Sequence, residues 1–381
     1  MVGQRLIGYL PSRGGALAMI ELVERTLAQV PGFVLGLSVG GEREILAFGN
    51  RQVFGVDSPL PMNPETIFDL GSVTKILATT AGIMRLIEAG ALSLDDYASK
   101  FLSGWAGTEK GGITIRDLLL HRSGLWEWRP LYIRDQDPAD AIRRISEIPL
   151  RYPINEGRHY SDLGFISLGR ILAKASGGEI ERSFHELVLE PLRLSNTQFA
   201  TPTSRTSVAA TSFGDSIEKE MVLSKVPYPV PENVTDFENW RDRVLVGEVN
   251  DGNAFHIFEG VSGHAGLFSN ADDLLAFGEA MNASFRGEGP YSPKIAEEFL
   301  ATGPDFGQQL GFRSWIHTNE GCATEFFGHT GFPGIALGFS PSHDCVVAMM
   351  TNRLHVQGVP VPTEQLWQPF LDSVHQRLHS A

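Results

Sequence analysis

Apolar residues recur with a period of two near both ends of the chain and with a spacing of three to four between. Gly32 to Gly40 (GFVLGLSVG) and Glu44 to Phe48 read as two strands joined at a Gly-Gly turn, a predicted hairpin. Pro59, Pro61 and Pro64 mark its boundary. Val73–Ala89, Ile115–Leu120, Pro138–Ile145, Ser167–Ser176 and Ile180–Leu189 then carry the helical spacing. Thr201 to Glu259 is polar, holds Pro227, Pro229 and Pro231, and predicts a segment wrapped over the surface. Asn270 is placed to cap a helix over Ala271–Met281. From Gln308 onward strand patterns return at Leu310–His317, Ala323–His329, Ile335–Ser340 and Cys345–Thr351. Thr363 opens a closing amphipathic helix that runs to Leu378, and Ala16–Val30 reads as another amphipathic helix.

Strands at both ends with helices between predict an α+β fold. Residues 1–60 and 296–381 form an antiparallel sheet lobe flanked by helices, and residues 61–295 form an inserted, mainly helical lobe. With 42% apolar and 20% charged residues, the composition excludes a disordered, collagen-like or coiled-coil chain. Acidic residues outnumber basic ones 45 to 31, and no Lys/Arg run occurs, so nucleic acid is not an expected partner. Two cysteines, Cys322 and Cys345, exclude a disulfide framework. Each reads as a small buried apolar residue. No Cys/His cluster has zinc spacing, so no metal or cofactor is expected. The apolar run Leu6 to Leu10 is cut off by Pro11 and Arg13, and no stretch reaches the ~18–20 apolar residues of a membrane span. That pattern predicts a cytoplasmic protein without a membrane span.

The sharpest chemical signal is Phe68-Asp69-Leu70-Gly71-Ser72-Val73-Thr74-Lys75. Ser72 and Lys75, at i and i+3, share one helix face. A serine hydroxyl needs a base to become a nucleophile, and a desolvated lysine amine can serve. If Ser72 begins the helix, its N–H is an orphan donor available to an oxyanion. The helix behind the pair, Ile76 to Ala89, is apolar almost all round and predicts a buried support. The pattern recurs at Ser216 and Lys219, but beside Glu218 and Glu220 and without an apolar helix, which reads as solvated surface. For Ser72 alone, a helix cap with an incidental lysine is an equal reading. Two further segments shift the balance. Gly157-Arg158-His159-Tyr160-Ser161-Asp162 places Tyr160 on a loop entering an apolar helix, where a phenol can relay protons. Gly328-His329-Thr330-Gly331-Phe332 ends a candidate strand whose glycines admit close backbone approach, with the Phe332 N–H as a second oxyanion donor.

These segments resemble the serine β-lactamase and penicillin-binding-protein superfamily, closest to its class C-like esterase and D-alanyl-D-alanine carboxypeptidase branch. That family carries S-x-x-K, Y-x-N and K/H-T-G in this order. Leu118-Leu119-Leu120-His121-Arg122-Ser123-Gly124-Leu125 is similar to its L-L-x-H-x-S-G-L, and Gly260 to Ser269 is similar to a segment of one subgroup, as are Asp251 and Asn253. The resemblance covers about residues 33 to 352. It implies that Ser72 is acylated, that Lys75 is its base partner and that Tyr160 is the second proton-transfer group. It also implies that His329, Thr330, Gly331 and Phe332 border the substrate, and that the site lies between the lobes. His264 is a candidate for lining the site, His121 reads as a loop-bonding residue, and Trp126 and Trp128 can shape an acyl pocket.

Two departures matter. Asp162 stands where the family usually has Asn, and beside Lys75 it would stabilise the ammonium. His329 replaces the lysine of many β-lactamases, and a neutral imidazole holds a carboxylate less well. Both favour a neutral ester or amide substrate. The first reading is therefore a serine hydrolase working through an acyl-enzyme, an esterase. Its alternatives are a D,D-carboxypeptidase or β-lactamase, an acyltransferase, and, from another class, a non-catalytic ligand sensor. The expected partner is a small ester, amide or β-lactam.

Overall fold

Alternating burial on the last strand organises the architecture. The computed structural model describes residues 21–135, 137–199, 207–319 and 321–379. Within Cys345–Thr351, residues 346, 348 and 350 face one way and 345, 347 and 349 the other, and all six are buried. A strand covered on both faces lies inside its sheet.

In chain order the strands are Gly32–Val39 (β1), Glu42–Gln52 (β2), Leu60–Pro61 (β3), Phe68–Asp69 (β4), Gln198–Phe199 (β5), Ala210–Phe213 (β6), Val244–Val246 (β7), Leu267–Ser269 (β8), Arg313–Asn319 (β9), Cys322–Gly331 (β10), Ile335–Ser340 (β11) and Cys345–Thr351 (β12). The main sheet runs β3-β2-β1-β12-β11-β10-β9, and every pair in it is antiparallel. The two ends of the chain meet in its middle, where Phe33 of β1 lies opposite Thr351 of β12. A second sheet, β4-β8-β5, ties the start of the Ser72 segment to Leu267–Ser269.

The helices that matter for the site are Ala81–Glu88 (α1), Asp162–Ser176 (α2), Ser216–Ser224 (α3), Gly252–His256 (α4), Ala271–Phe285 (α5) and Thr363–His379 (α6). Leu366, Trp367, Phe370 and Leu371 of α6, with Leu22 and Val23 of helical residues 21–27, cover one face of the sheet. Leu274, Leu275 and Phe277 of α5 cover the other. Helix α5 therefore packs on the sheet, although the division at residue 296 assigned it to the helical lobe. Its apolar stripe needed a partner that its place in the chain did not reveal. Asn270 caps it as expected, accepting from Asp273 N at 3.1 Å.

Other differences are local. Cys345 is buried as expected, whereas Cys322 is exposed at the turn end of the β9–β10 hairpin. The polar stretch before residue 259 contains α3, which the pattern did not announce. The Leu6 to Leu10 run and residues 16–20 of the expected first helix lie outside the described residues. No helix among the described residues is long and apolar enough to cross a membrane.

Helix α5 lies close to the sheet because Gly278 has no side chain. A Cβ there would sit 2.4 Å from Cγ1 of buried Val346. Gly278→Ala is predicted to cost about 1–3 kcal/mol through overpacking, less the ~1 kcal/mol that alanine gains in helix propensity. Urea denaturation of a double-mutant cycle with Val346→Ala checks this. The double mutant should be more stable than the sum of the single changes requires.

Candidate active site

The Ser72 segment is bent where the sequence supplies a glycine. Gly71 has φ +49° and opens a tight turn over Gly71–Val73. Buried Asp69 braces that turn, accepting from Gly71 N at 2.9 Å and Asn250 N at 2.6 Å. Lys75–Thr80 then winds in wide π turns before α1 begins. The pattern predicted a regular helix here. The observed widening is a feature found mostly at functional positions.

Lys75 is fully buried. Its Nζ donates to Ser72 Oγ at 2.9 Å and to the His264 carbonyl at 3.0 Å, and lies 2.7 Å from Asp162 Oδ1. Burial alone would lower its pKa. Asp162, and after it Tyr160, more than offset that, so the net shift is upward and the resting side chain is an ammonium. Tyr160 stands beside this pair, with its ring centre 5.1 Å from Lys75 Nζ. Its pKa is raised, chiefly by burial against the opposing pull of Lys75, so the resting phenol is neutral.

Local structure delivers Tyr160 and Asp162. Ser161 caps α2, accepting from Gly164 N at 3.0 Å and donating to Trp126 O at 2.7 Å. The Ser161 N–H donates to His121 Nδ1 at 2.9 Å, and the His121 ring lies 4.5 Å from that of Tyr160. His121 is thus the loop-bonding residue its setting predicted. Asp162 occupies the first turn of α2, where the helix dipole favours a carboxylate.

The end of β10 closes the other side. Strand β9 pairs with β10 only as far as Gly328, opposite Arg313, while β11 continues to Gly331. Among the described residues, His329 to Gly331 therefore keep an outer edge without a ladder partner. A Cβ on Gly331 would lie 2.2 Å from Leu70 O, and one on Gly71 would lie 2.5 Å from Pro333 Cδ and 3.3 Å from Phe332 N. Both glycines are needed for the strand end to lie against the Ser72 turn. A cavity of about 210 Å³ opens here, lined by Ser72, Tyr160, Trp128, Tyr228, Asp251 and Phe332 among others.

Several candidates take positions other than those expected. His329 is 2% exposed, donates from Nδ1 to Thr330 O at 2.7 Å and sits by the Tyr160 ring, so it supports the edge from inside. Burial, with Lys75 and Arg313 nearby, holds its pKa well below the usual value, and it is neutral. The His264 ring is buried away from the cavity, and its carbonyl, not its imidazole, reaches Lys75. Trp128 lines the cavity, whereas Trp126 is held between Arg129 and Arg151 and donates to Pro149 O.

Three residues near the site were missed. Arg158 Nε donates to Gln308 Oε1 at 2.6 Å, and among the described residues no carboxylate lies within ion-pair distance of it. Burial and nearby Arg313 lower its pKa. Arg313 Nη1 donates to Thr330 Oγ1 at 3.3 Å and pairs with Glu364. Glu218, on α3, lines the cavity and accepts from Tyr132 Oη and Gly252 N, each at 2.8 Å. Burial and the neighbouring Asp251 push its carboxyl above the usual range. Two adjacent guanidiniums from distant segments, and a glutamate from a surface-like helix, leave no local signature in sequence. Among the described residues no group of His, Cys, Asp or Glu is placed to hold a metal ion.

Comparison with known proteins gives the same setting. A family model described as Beta-lactamase matches residues 19–367. The N-acetylmuramyl-L-alanine amidase of Bacillus subtilis (strain 168) is 30% identical over 369 residues, covering 88% of this chain and 80% of the relative. A putative D-alanyl-D-alanine carboxypeptidase of Escherichia coli (strain K12) is 29% identical over 330 residues, covering 79% and 72%. Among solved structures, a class C beta lactamase from Rhodobacter sphaeroides has a TM-score of 0.69 at 19% identity, covering 96% of this chain and 100% of its own. EstCE1, a hydrolase with promiscuous acyltransferase activity, has a TM-score of 0.68 at 19% identity, covering 96% and 98%. At these identities the structures establish the shared fold.

The Lys75–Asp162 pair fixes the sign of one pH effect. A raised lysine pKa stabilises the fold at neutral pH, and that contribution is lost only as pH climbs through the folded-state value. If turnover needs one proton fewer on this network, kcat/KM rises with pH through the neutral range. Asp162→Asn removes the largest raising influence, so the rising limb should move to lower pH. Profiles of kcat/KM carried on to about pH 11, where the raised pKa values lie, check this, and an unmoved limb contradicts it.

Proposed function

Because the chain belongs to the beta-lactamase family of serine hydrolases, we propose that Ser72 is its acylated nucleophile and that Lys75 and Tyr160 form its proton relay. One observation carries the reading. A fully buried lysine amine bridges Ser72 Oγ and Asp162, with the Tyr160 ring centred 5.1 Å from its Nζ. A purely structural lysine would not be expected to spend a hydrogen bond on a half-buried serine at a cavity mouth.

The resting ammonium and neutral phenol are one proton too rich to act as a base. Loss of that proton belongs to the coupled pair rather than to either residue. In the deprotonated network, Ser72 Oγ–H passes its proton to the relay as the oxygen attacks the substrate carbonyl. The tetrahedral oxyanion is held by the N–H groups of Ser72 and Phe332. The relay returns the proton to the departing nitrogen or oxygen, leaving an acyl-serine. Water then repeats the sequence in reverse and frees the acid.

For the substrate, the neutrality of His329 pointed to an uncharged ester. Arg158 and Arg313 alter that premise. Two guanidiniums beside the free edge of β10, one of them without a carboxylate partner among the described residues, suit a substrate whose leaving part carries an anionic group. We read the preferred substrate as an amide or ester with a carboxylate on the leaving side. Amide cleavage also agrees with the names of the curated relatives, an amidase and a carboxypeptidase. The neutral ester remains the second reading, supported by the buried, uncharged imidazole.

Fluorophosphonate labelling followed by peptide mapping should place a single adduct on Ser72, and label on Ser216 with Ser72 unmodified would refute the assignment. Ser72→Ala and Lys75→Met should abolish turnover, and EDTA should leave it unchanged. Arg158→Gln should lower kcat/KM about 10- to 150-fold for a carboxylate-bearing ester, the loss of one charge-assisted hydrogen bond, and change a matched neutral ester little. Equal effects on the two substrates would favour the neutral-ester reading.

A further inference from the structure

The segment Ser262-Gly263-His264-Ala265-Gly266 lies against the wide turns that carry Lys75. Two successive carbonyls of this segment accept from one face of those turns. Thr79 Oγ1 donates to Gly263 O at 2.7 Å and Lys75 Nζ donates to His264 O at 3.0 Å. The glycines of this segment are required by other neighbours, α2 at Gly263 and the preceding loop at Gly266. A Cβ on Gly263 would lie 2.4 Å from Phe165 O, and Gly266, at φ +119°, would place one 2.0 Å from Gly260 O.

Between these glycines the His264 ring is clamped at both nitrogens. Nδ1 lies 2.8 Å from Ser262 Oγ and Nε2 lies 2.9 Å from Asp251 Oδ1, and the residue is 1% exposed. Asp251 is itself fixed, because the same oxygen accepts from Ala254 N at 2.8 Å as the cap of α4. Asn253, two residues on, locks α4 to the distant segment at residues 129–131 by accepting from Leu131 N and donating to Arg129 O, each at 2.9 Å. A ring held on both sides cannot rotate, and its own backbone carbonyl is held with it.

We propose that Asp251 and His264 are positioning residues for Lys75: Asp251 fixes the His264 imidazole, and the fixed residue presents its carbonyl as the acceptor that keeps Nζ against Ser72 Oγ. Without that acceptor the ammonium is drawn toward Asp162, and the serine loses its partner. The carbonyl dipole also favours the charged amine, so its loss eases deprotonation. Neither effect needs the imidazole to touch substrate, which accounts for a buried histidine in the wall behind the nucleophile. The inference rests on the proposed roles of Ser72 and Lys75.

The test compares His264→Ala, Ser262→Ala, Asp251→Ala and Asp251→Asn in the full chain, with kcat normalised to the sites that a fluorophosphonate labels to completion by intact mass. His264→Ala and Asp251→Ala should lower kcat per labelled site about 10- to 100-fold, the scale expected when a catalytic group is misplaced. KM for a neutral p-nitrophenyl ester should stay within about twofold in His264→Ala. The rising limb of the pH profile should shift to lower pH, a change that lost stability alone would not produce. Asp251→Asn keeps an oxygen that can accept from Nε2 and should recover most of the rate. Should the alanine variants at 251 and 264 fail to fold, Ser262→Ala, which removes only the Nδ1 contact, decides: a smaller fall in kcat with the same shift supports the proposal. A wild-type kcat and pH limb in the folded variants overturns it. Failure of the underlying reading is distinguishable, because Lys75→Met would then retain turnover.

Discussion

An ammonium taken wholly out of water dominates the centre of this molecule. Such a charge costs several kcal/mol unless it is paired and hydrogen-bonded. Lys75 meets that demand with partners from three separate segments: Ser72 of its own turn, Tyr160 and Asp162 at the entry to α2, and the carbonyl of His264. Each of these segments is in turn anchored elsewhere, through Asp69, His121 and Asp251. The requirement to compensate one buried charge therefore joins the helical segments to one another and fixes the geometry around Ser72.

The sheet contributes its own constraint. Strand β10 must run past the end of β9 to offer an unpaired edge, and it must then pass close to the Ser72 turn. Gly331 and Gly71 make both possible, since any side chain there would collide with Leu70 O or Pro333. The face behind is made firm by α5, whose Gly278 lets it rest on Val346. Packing of the core and access at the site are thus settled by the same feature, close backbone approach at glycine.

Charge around the cavity is uneven. Arg158 and Arg313 lie toward the β10 edge, while Asp251 and Glu218 line the cavity beyond Ser72. The burial that makes His329 neutral and lowers Arg158 also strengthens any interaction that these groups make with a bound ligand. The overall excess of acidic residues says little about this local arrangement, because surface charge is screened within about 10 Å at ordinary ionic strength.

Much of the fold was legible because period-two and helical spacing are local properties. The strands at both chain ends, the cap at Asn270 and the closing helix from Thr363 follow from residues within a few positions of one another. The Ser72–Lys75 spacing, the loop before Tyr160 and the glycines around Thr330 were readable for the same reason. The packing of α5 on the sheet, the meeting of Arg158 with Arg313, the turn of His264 away from the cavity and the arrival of Glu218 at its wall were not. Each depends on which segments meet in space. A side chain's direction and ionisation follow from the neighbours that burial brings to it, and those neighbours lie far away in the chain, as His264 does at 189 residues from Lys75. The sequence by itself determined the elements and the kinds of chemistry available, and only the tertiary structure decided which groups share a proton and which face a ligand.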